Sequence, residues 1–395
     1  MAGPGDVINT YRCWCSGIDD PSQIAVTYSS QFFEFCRANN FRGTIISYHQ
    51  RRESFADEQF SIEHHPVLFS QRGGLLFHIG WYAFNATVAM KAILQRCDVL
   101  VLMTGTHLLP YWLARLAGCK VILTEQCVLW PKLIGRKGFW KWIHYLDRSF
   151  FRRGASAILS LSNDISDQIN ELTSGRHGPI FSFFPTYRST TFDSFRPNFD
   201  RSSGFRVLFI GRIEENKGIL DLLEIATRIR TVGRDDIKIE IAGDGSAMAA
   251  AQRYIREHRL TSIVTMHGHL ARGPLAELLK RCHTVILPTR SDMLEGFNKG
   301  IAESVLALRP WISSKVCPAI EYVPGSGAEV PPDDPNAYLN AITSFVDNPH
   351  SYASAVSKCE EYRAMFFEKT SSWMTALGIA FDALFASRGQ ASASD

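Results

Sequence analysis

The sequence has little of what marks several familiar classes of protein. Its 42 Lys and Arg residues nearly balance its 39 Asp and Glu residues, so the net charge is only +3. This small charge does not indicate a protein that binds nucleic acid. No stretch approaches the ~18 uninterrupted apolar residues that a membrane-spanning helix needs. The start of the sequence lacks a basic segment followed by an apolar run, so we expect no secretion signal and a cytoplasmic location.

Cysteine and histidine are present, but not in the patterns of disulfide or metal sites. The nine cysteines are an odd number and form no Cys-x2-Cys pair, which indicates free thiols. His267 and His269 lie close together without a third ligand, so we expect no metal ion. The sequence contains no Gly-x-Gly-x-x-Gly segment after a strand, and this disfavours NAD.

A regular alternation of short apolar segments and amphipathic segments runs through the 395 residues. Such alternation predicts α/β units with parallel sheets. A polar stretch with Pro and Gly at 192–204 interrupts the pattern, which begins again at Phe205. We therefore predict two doubly wound, Rossmann-like domains that face each other across a cleft. The predicted strands are 43–48, 99–103, 120–124 and 157–161 in the first domain and 206–210, 238–242, 263–266 and 284–287 in the second.

These features divide the chain into four parts. Residues 1–190 form the first domain, 191–204 a linker, and 205–365 the second domain. The segment 366–395 is expected to form a helix that crosses back to the first domain, followed by a polar tail.

The first strand of the second domain leads into a loop that suits a phosphate group. Gly211 and Gly218 stand at the two ends of this loop, where glycine lets the backbone approach a ligand closely. Arg212 and Lys217 add two cations just before a helix N-terminus, which favours anions. The pattern fits a diphosphate site, and it equally fits a solvated loop with two incidental charges.

A second loop in the same domain carries two spaced carboxylates. Glu295 precedes the helix predicted at 299–308, and Glu303 lies eight residues further on, roughly 12 Å along the helix axis. This span suits one carboxylate on a sugar hydroxyl and the other on a ribose. The alternative is an ordinary pair of glutamates that face solvent, although the mostly apolar helix indicates burial.

The sequence resembles a known family at this point. The motifs GRIEENKG after VLFI, then IEIAGDGS, VTMHGHL and EGFNKGIAE, are similar to the second domain of family-four glycosyltransferases, which are retaining enzymes of the GT-B fold. The resemblance is strong over 205–323 and weaker in the first domain, where it rests on DVLVLMTGTH, LARLAGCKVILTEQ and SAILSLSNDI.

The resemblance implies a role for each matching residue. Arg212 and Lys217 would hold the donor diphosphate and support catalysis, Glu295 would contact hydroxyls of the donor sugar, and Glu303 would bind the ribose. The backbone around Gly211, Gly296 and Phe297 would lie against the donor, and His269 and Leu270 against its nucleobase. The resemblance also implies that neither a metal nor another cofactor is needed, because cations and a helix dipole stabilise the leaving diphosphate.

The first domain departs from the family pattern. The glycine-rich first loop of the family is not evident, and 15–20 is the nearest stretch. The histidine expected after the strand 121–124 is absent, and Glu125 and Gln126 occupy that place. His107 follows the preceding strand, so we predict that His107 or Glu125 orients the acceptor or takes up its proton. His107 equally fits a packed or exposed loop histidine.

The segment 138–153 predicts a basic, aromatic helix. We expect one apolar stripe and one basic stripe on it, with Trp140, Trp142 and Tyr145 at the boundary. Such a helix can lie on anionic lipid, and it can equally be an ordinary helix packed on its sheet. The apolar stripe comprises Phe139, Ile143, Leu146 and Phe150, and the basic one Lys137, Lys141, His144, Arg148 and Arg152.

Together these features predict a retaining glycosyltransferase. It would move a hexosyl group from a nucleotide-diphosphate sugar to a hydroxyl acceptor, and the basic helix favours a lipid-linked saccharide in exopolysaccharide or related glycan synthesis at the inner face of the membrane. Two alternatives stay open, a nucleotide-sugar epimerase of the same fold and a catalytically silent protein that binds nucleotide sugars. The sequence does not identify the base, the sugar, the linkage or the oligomeric state.

Overall fold

The structure is a computed structural model that describes residues 1–70, 72, 74–103 and 105–389. The first domain contains one eight-stranded sheet with the order β3-β4-β2-β1-β5-β6-β7-β8, in which all pairs are parallel except β3 with β4. Its strands are β1 (Ala2–Pro4), β2 (Gly43–Tyr48), β3 (Glu53–Ala56), β4 (Phe60–His65), β5 (Val99–Leu102), β6 (Lys120–Glu125), β7 (Ala157–Ser160) and β8 (Ile180–Ser182).

The helices of the first domain connect these strands. Helix α5 passes without a break into a π-helical turn at Phe150–Gly154. The helices are α1 (Val7–Cys15), α2 (Tyr28–Ala38), α3 (Leu75–Leu94), α4 (Tyr111–Leu116), α5 (Trp140–Ser149), α6 (Asn163–Thr173) and the short α7 (Ser189–Phe192).

The second domain contains a six-stranded, wholly parallel sheet with the order β11-β10-β9-β12-β13-β14. The strands are β9 (Phe205–Ile210), β10 (Ile237–Ala242), β11 (Val264–Gly268), β12 (Thr284–Leu287), β13 (Trp311–Ser313) and β14 (Gly327–Glu329). The helices are α8 (Ile219–Thr231), α9 (Met248–Glu257), α10 (Arg272–Arg281), α11 (Lys299–Leu306), α12 (Pro335–Asp347) and α13 (Pro349–Tyr362).

The strand order explains why the central strands are apolar throughout. Helices cover both faces of a parallel sheet, so strand residues are buried on both sides. Val121, Ile122 and Leu123 of β6 and Val285 and Ile286 of β12 are accordingly inaccessible to solvent. In both sheets the order reverses beside the first strand, β1 or β9, and ligands of doubly wound folds bind beyond the carboxyl ends of the strands at such a point.

Strand β1 was missed in the sequence, and this corrects the position of the first loop. The loop at the carboxyl end of β1 contains Gly5 and Asp6, and the Asp6 side chain accepts a hydrogen bond from the backbone N–H of Asn9 at the start of α1. The stretch 15–20 instead begins at the last residue of α1 and continues beyond that helix. A strand of three residues, of which only Ala2 is buried, is too short to show a period in the sequence.

The last helix, α14 (Trp373–Gly389), packs on the first domain against α2, β7 and β8. The Trp373 indole is fully buried and donates to the Thr124 hydroxyl at 3.1 Å. The backbone N–H of Met374 donates to the Gln31 side chain at 3.0 Å. Within the described part of the chain, no helix is both long and apolar enough to cross a membrane.

Candidate active site

The loops after β9 and β12 bring Lys217 and Glu295 together. The Lys217 Nζ lies 2.5 Å from Oε2 of Glu295, and both side chains are mostly buried. The Asn298 side chain also donates to the same carboxylate oxygen, at 3.3 Å. Two loops that are 78 residues apart in the chain therefore form one polar site at the carboxyl edge of the second sheet.

Gly218 makes this approach of the two loops possible. Its φ of 77° lies in the left-handed region, and a Cβ built there would stand 1.8 Å from the carbonyl oxygen of Pro288. A side chain at this position would push apart the loops that carry Lys217 and Glu295.

Arg212 lies at the other end of the β9 loop and is much more exposed. Its guanidinium donates to the Glu214 carboxylate at 2.7 Å, within the same loop. An exposed ion pair of this kind is weak and leaves the guanidinium free to exchange partners. Arg212 is therefore available to an anionic ligand, whereas the Lys217 ammonium already donates one hydrogen bond to Glu295.

Helix α11 begins directly at this site. Asn298 has a left-handed φ of 75°, and its side chain accepts from the N–H of Gly300. The backbone N–H groups of Gly296, Phe297 and Lys299 find no acceptor within the described residues. These N–H groups and the helix dipole together favour an anion at the end of α11. Sequence reasoning did not single out Asn298, although an Asn directly before a helix is a capping signal.

Glu303 lies one turn further along α11 and is largely buried. Burial raises the pKa of its carboxyl, while the neighbouring Lys299 ammonium opposes this rise. The Glu303 carboxylate makes no hydrogen bond to any residue that the structure describes. Its acceptor oxygens are therefore available to a hydroxyl group.

His269 and Leu270 follow β11, the edge strand of the same sheet. His269 is exposed and Leu270 half-buried. The neighbouring His267 is bound at 2.6 Å to the Glu240 carboxylate, which also accepts from Arg206 and Arg281. Over the residues that the structure covers, no three His, Cys, Asp or Glu side chains are arranged to hold a metal.

The first domain contacts the Lys217–Glu295 site through the loop after β6. A Cβ built on Gly296 would lie 1.8 Å from the carbonyl oxygen of Gln126 and 2.9 Å from Cα of Cys127. Phe184, which follows β8, packs against Phe297 with ring centroids 6.0 Å apart. The two domains thus meet at the loop that precedes α11.

The structure corrects the direct role predicted for Glu125. Its side chain is 2% exposed, and one carboxyl oxygen has no hydrogen-bond partner among the described residues. Burial, with a smaller contribution from Asp147, raises the pKa of Glu125 to about 8. A Cβ on Gly105 would lie 1.9 Å from this carboxyl, so the loop after β5 covers it. Glu125 therefore does not face an acceptor.

His107 is buried in the same way, with an exposure of 1%. One imidazole nitrogen lies 2.8 Å from His78, and the other lies 3.0 Å from the Thr106 hydroxyl. Burial, together with His78 and His144, lowers the pKa of His107 to about 4. At neutral pH the ring is uncharged and neither nitrogen is free, so we reassign His107 from proton acceptor to part of the loop architecture.

The burial of Glu125 has a measurable consequence for stability. A carboxyl whose pKa rises from its usual 4.5 to about 8 binds its proton more tightly in the folded state. Stability from this group is therefore present at low pH and is lost as pH rises through 8. From pH 6 to pH 9 the loss is about 2–3 kcal/mol. In urea unfolding experiments, the free energy of unfolding should fall much less between pH 6 and pH 9 in Glu125→Gln than in the wild type. An equal fall in both proteins would contradict the burial of Glu125.

The segment 138–153 does not divide into the two stripes predicted for it. His144 of the predicted basic stripe is buried, and Phe139 and Leu146 of the apolar stripe are exposed. Ile143 and Phe150 are buried as predicted, and the buried face of α5 also carries His144 and Asp147. The amphipathic pattern of the sequence could not reveal that Asp147 accepts hydrogen bonds from the backbone N–H groups of His107 and Leu108.

Comparisons with known proteins agree with this geometry. Residues 204–348 match the family described as Glycosyl transferases group 1. Over 209 residues the chain is 26% identical to glycogen synthase of Mycobacterium tuberculosis, a stretch that covers 51% of the chain and 48% of the synthase. The chain thus spans about half the length of the curated relatives it matches.

Solved structures show the same two-domain arrangement. The structure of Anabaena HepE in complex with UDP aligns with this chain at a TM-score of 0.66 and 15% sequence identity. The alignment covers 90% of this chain and 96% of the HepE chain. Sucrose-phosphate synthase from Thermosynechococcus elongatus has a TM-score of 0.68 at 15% identity, with 98% of this chain and 99% of the synthase covered. The two facing domains therefore have the GT-B fold of glycosyltransferases. The match over 204–348 confirms the resemblance to glycosyltransferases seen in the sequence of the second domain.

Proposed function

We propose that this protein transfers a hexosyl group from a uridine-diphosphate sugar to a hydroxyl acceptor, with retention at the anomeric carbon. The observation that carries the proposal is the Lys217–Glu295 pair at the start of α11, beside the free N–H groups of that helix. The UDP bound in HepE supports the choice of nucleotide. Retention rests on the family resemblance.

The site suits the charge that develops during transfer. As the bond between the sugar and the diphosphate breaks, negative charge grows on the departing phosphate oxygen. Lys217, Arg212 and the N–H groups at the start of α11 would oppose this charge. Fixed donors of this kind stabilise a transition state strongly, and we expect no metal to be needed.

The Lys217–Glu295 pair would exchange partners when the donor binds. The Lys217 ammonium would turn to the diphosphate, and the Glu295 carboxylate would accept hydrogen bonds from sugar hydroxyls. Glu303 would accept from the ribose. His269 and Leu270 would border the base. Both buried carboxylates then gain the hydrogen-bond donors that they have few of in the ligand-free site.

Incubation with uridine-diphosphate sugars, with and without acceptors, tests this function. We expect slow release of UDP alone and faster release when a hydroxyl acceptor is added. Conversion of the sugar without an acceptor would favour the epimerase, and tight binding without release of UDP would favour the silent protein. An inverted linkage in the product would rule out retention.

We also propose that the acceptor is a lipid-linked saccharide held at an anionic membrane. Helix α5 exposes 66% of Trp142 and 65% of Tyr145, with Lys137 and Lys141 beside them. The start of α3 adds exposed apolar side chains to the same surface, because His78 of α3 contacts the rings of Phe139 and Trp140. These side chains are Leu75, Leu76 and Ile79.

Such a surface has the chemistry of a membrane interface. Contiguous exposed apolar groups are unusual on a monomer, and rings at the boundary of basic residues suit the level of the lipid headgroups. A polyprenyl-diphosphate carrier would present its saccharide just above that surface. The basic residues would then also meet the anionic diphosphate of the carrier.

Vesicle binding tests the membrane surface. Each exposed lysine near anionic lipid contributes about 1 kcal/mol, so Lys137→Gln with Lys141→Gln should weaken binding to phosphatidylserine vesicles about 10- to 30-fold. Arg253→Gln with Arg256→Gln removes two exposed cations from α9 in the second domain and should leave binding unchanged. Equal losses in the two double variants, measured by cosedimentation, would argue against this surface.

A further inference from the structure

The loop 105–108, between β5 and α4, holds an uncommon backbone conformation. His107 has a φ of 60°, in the left-handed region that residues other than glycine seldom adopt. Such a conformation costs of order 1 kcal/mol or more and persists only where the surroundings hold it in place. The contacts of this loop show what holds it.

Asp147 of α5 holds the loop from one side. The two oxygens of its carboxylate accept from two successive backbone N–H groups, His107 at 2.8 Å and Leu108 at 2.7 Å. The Asp147 side chain is fully buried, so water does not compete for these bonds. Hydrogen bonds to a buried carboxylate are among the stronger ones in proteins.

Residues of α3 hold the loop from the other side. The Asn85 side chain donates to the carbonyl oxygen of His107 at 3.0 Å and accepts from the Tyr111 hydroxyl at 3.0 Å. His78 binds the His107 ring. The backbone of His107 is thus fixed through its N–H by α5 and through its carbonyl by α3.

The fixed loop lies next to the donor site. Gly105 rests against the Glu125 carboxyl at the end of β6, and the next residue, Gln126, places its carbonyl oxygen against Gly296. Gly105 and Thr106 remain half-buried at the carboxyl edge of the sheet, where a ligand of the first domain would bind.

We infer that Asp147 is a positioning residue for the acceptor, because it fixes the loop 105–108 from the helix whose other face carries Trp142 and Tyr145. The inference rests on the proposed function. Asp147 touches neither substrate, and it sets the place where the first-domain loop meets the acceptor hydroxyl. One face of α5 would thereby contact lipid, and the opposite face would fix the loop 105–108, which lines the cleft.

Two substitutions test this role. Asp147→Asn keeps the shape and one carbonyl acceptor, and Asp147→Ala removes both acceptors. With a polyprenyl-diphosphate-linked monosaccharide in vesicles as the acceptor, we expect the acceptor KM to rise about 10-fold in the alanine variant and less in the asparagine variant. Hydrolysis of the UDP-sugar without acceptor, and cosedimentation with vesicles, should stay within about twofold of wild type.

Asp57→Ala is the matched control. One Asp57 carboxylate oxygen also accepts from two successive backbone N–H groups, Gln59 at 2.9 Å and Phe60 at 2.6 Å, but it holds the turn between β3 and β4, at the opposite edge of the first sheet. This variant should keep the acceptor KM.

The outcomes separate the inference from the proposed function. If the wild type transfers sugar and the Asp147 variants keep its acceptor KM, or if Asp57→Ala raises that KM equally, Asp147 has no positioning role. A parallel loss of donor hydrolysis in Asp147→Asn would also overturn it, since a general structural defect acts on both reactions. A wild type that neither hydrolyses nor transfers would overturn the proposed function and the inference with it.

Discussion

Replacing Lys217 with alanine is expected to lower the turnover number for sugar transfer about 100-fold, the usual size of one lost electrostatic contact in a transition state. Its ammonium is the mostly buried cation of the donor site, 2.5 Å from Glu295. Arg212 is far more exposed and would compensate only in part, because charges near water are screened. Steady-state kinetics with a UDP-sugar would measure this loss.

Two controls separate lost catalysis from lost stability. Lys217→Arg keeps the charge and should retain more turnover than the alanine variant. Lys280→Ala removes the lysine of an ion pair on α10, with Glu277 at 2.9 Å, and should leave the kinetics unchanged. Turnover within about threefold of wild type in Lys217→Ala would mean that the β9 loop does not bind the diphosphate.

The sequence could predict which loops of the second domain carry the polar residues of the site, whereas the roles of these residues stay predictions. The loop after β9 and the loop before α11 each carry their polar residues within a few positions of a strand end, where parallel sheets gather ligand contacts. Lys217 meets Glu295 because β9 and β12 are neighbours in the sheet. This strand order could not be predicted from the sequence. The resemblance to the family supplied the roles.

The first domain was harder to read because its key contacts join distant segments. Whether His107 faces the cleft depends on Asp147, 40 residues away, and on Asn85, 22 residues away. Both partners are polar residues on helices and would ordinarily be placed in solvent. The hydrophobic pattern of α5 therefore predicted the burial of Ile143 but missed that of His144 and Asp147, since a hydrogen-bonded carboxylate can occupy a buried position.

Replacing Gly296 with alanine should abolish most sugar transfer and leave nucleotide binding intact, because Gly296 lies at the contact between the two domains. The added Cβ would lie 1.8 Å from the carbonyl oxygen of Gln126, and the three atoms nearest to it all belong to the backbone, so one loop must move. A misplacement of ~1 Å between reacting groups can cost about 100-fold in rate. The three atoms nearest the added Cβ belong to the first-domain loop and none to Arg212, Lys217 or Glu303, so the Kd for UDP should change less than threefold.

Gly273→Ala in α10 adds a Cβ with nothing within 4 Å and serves as the control. If Gly296→Ala loses UDP binding and transfer together, the loop acts through the donor alone. If it keeps both, the two domains need not meet at Gly296 for transfer.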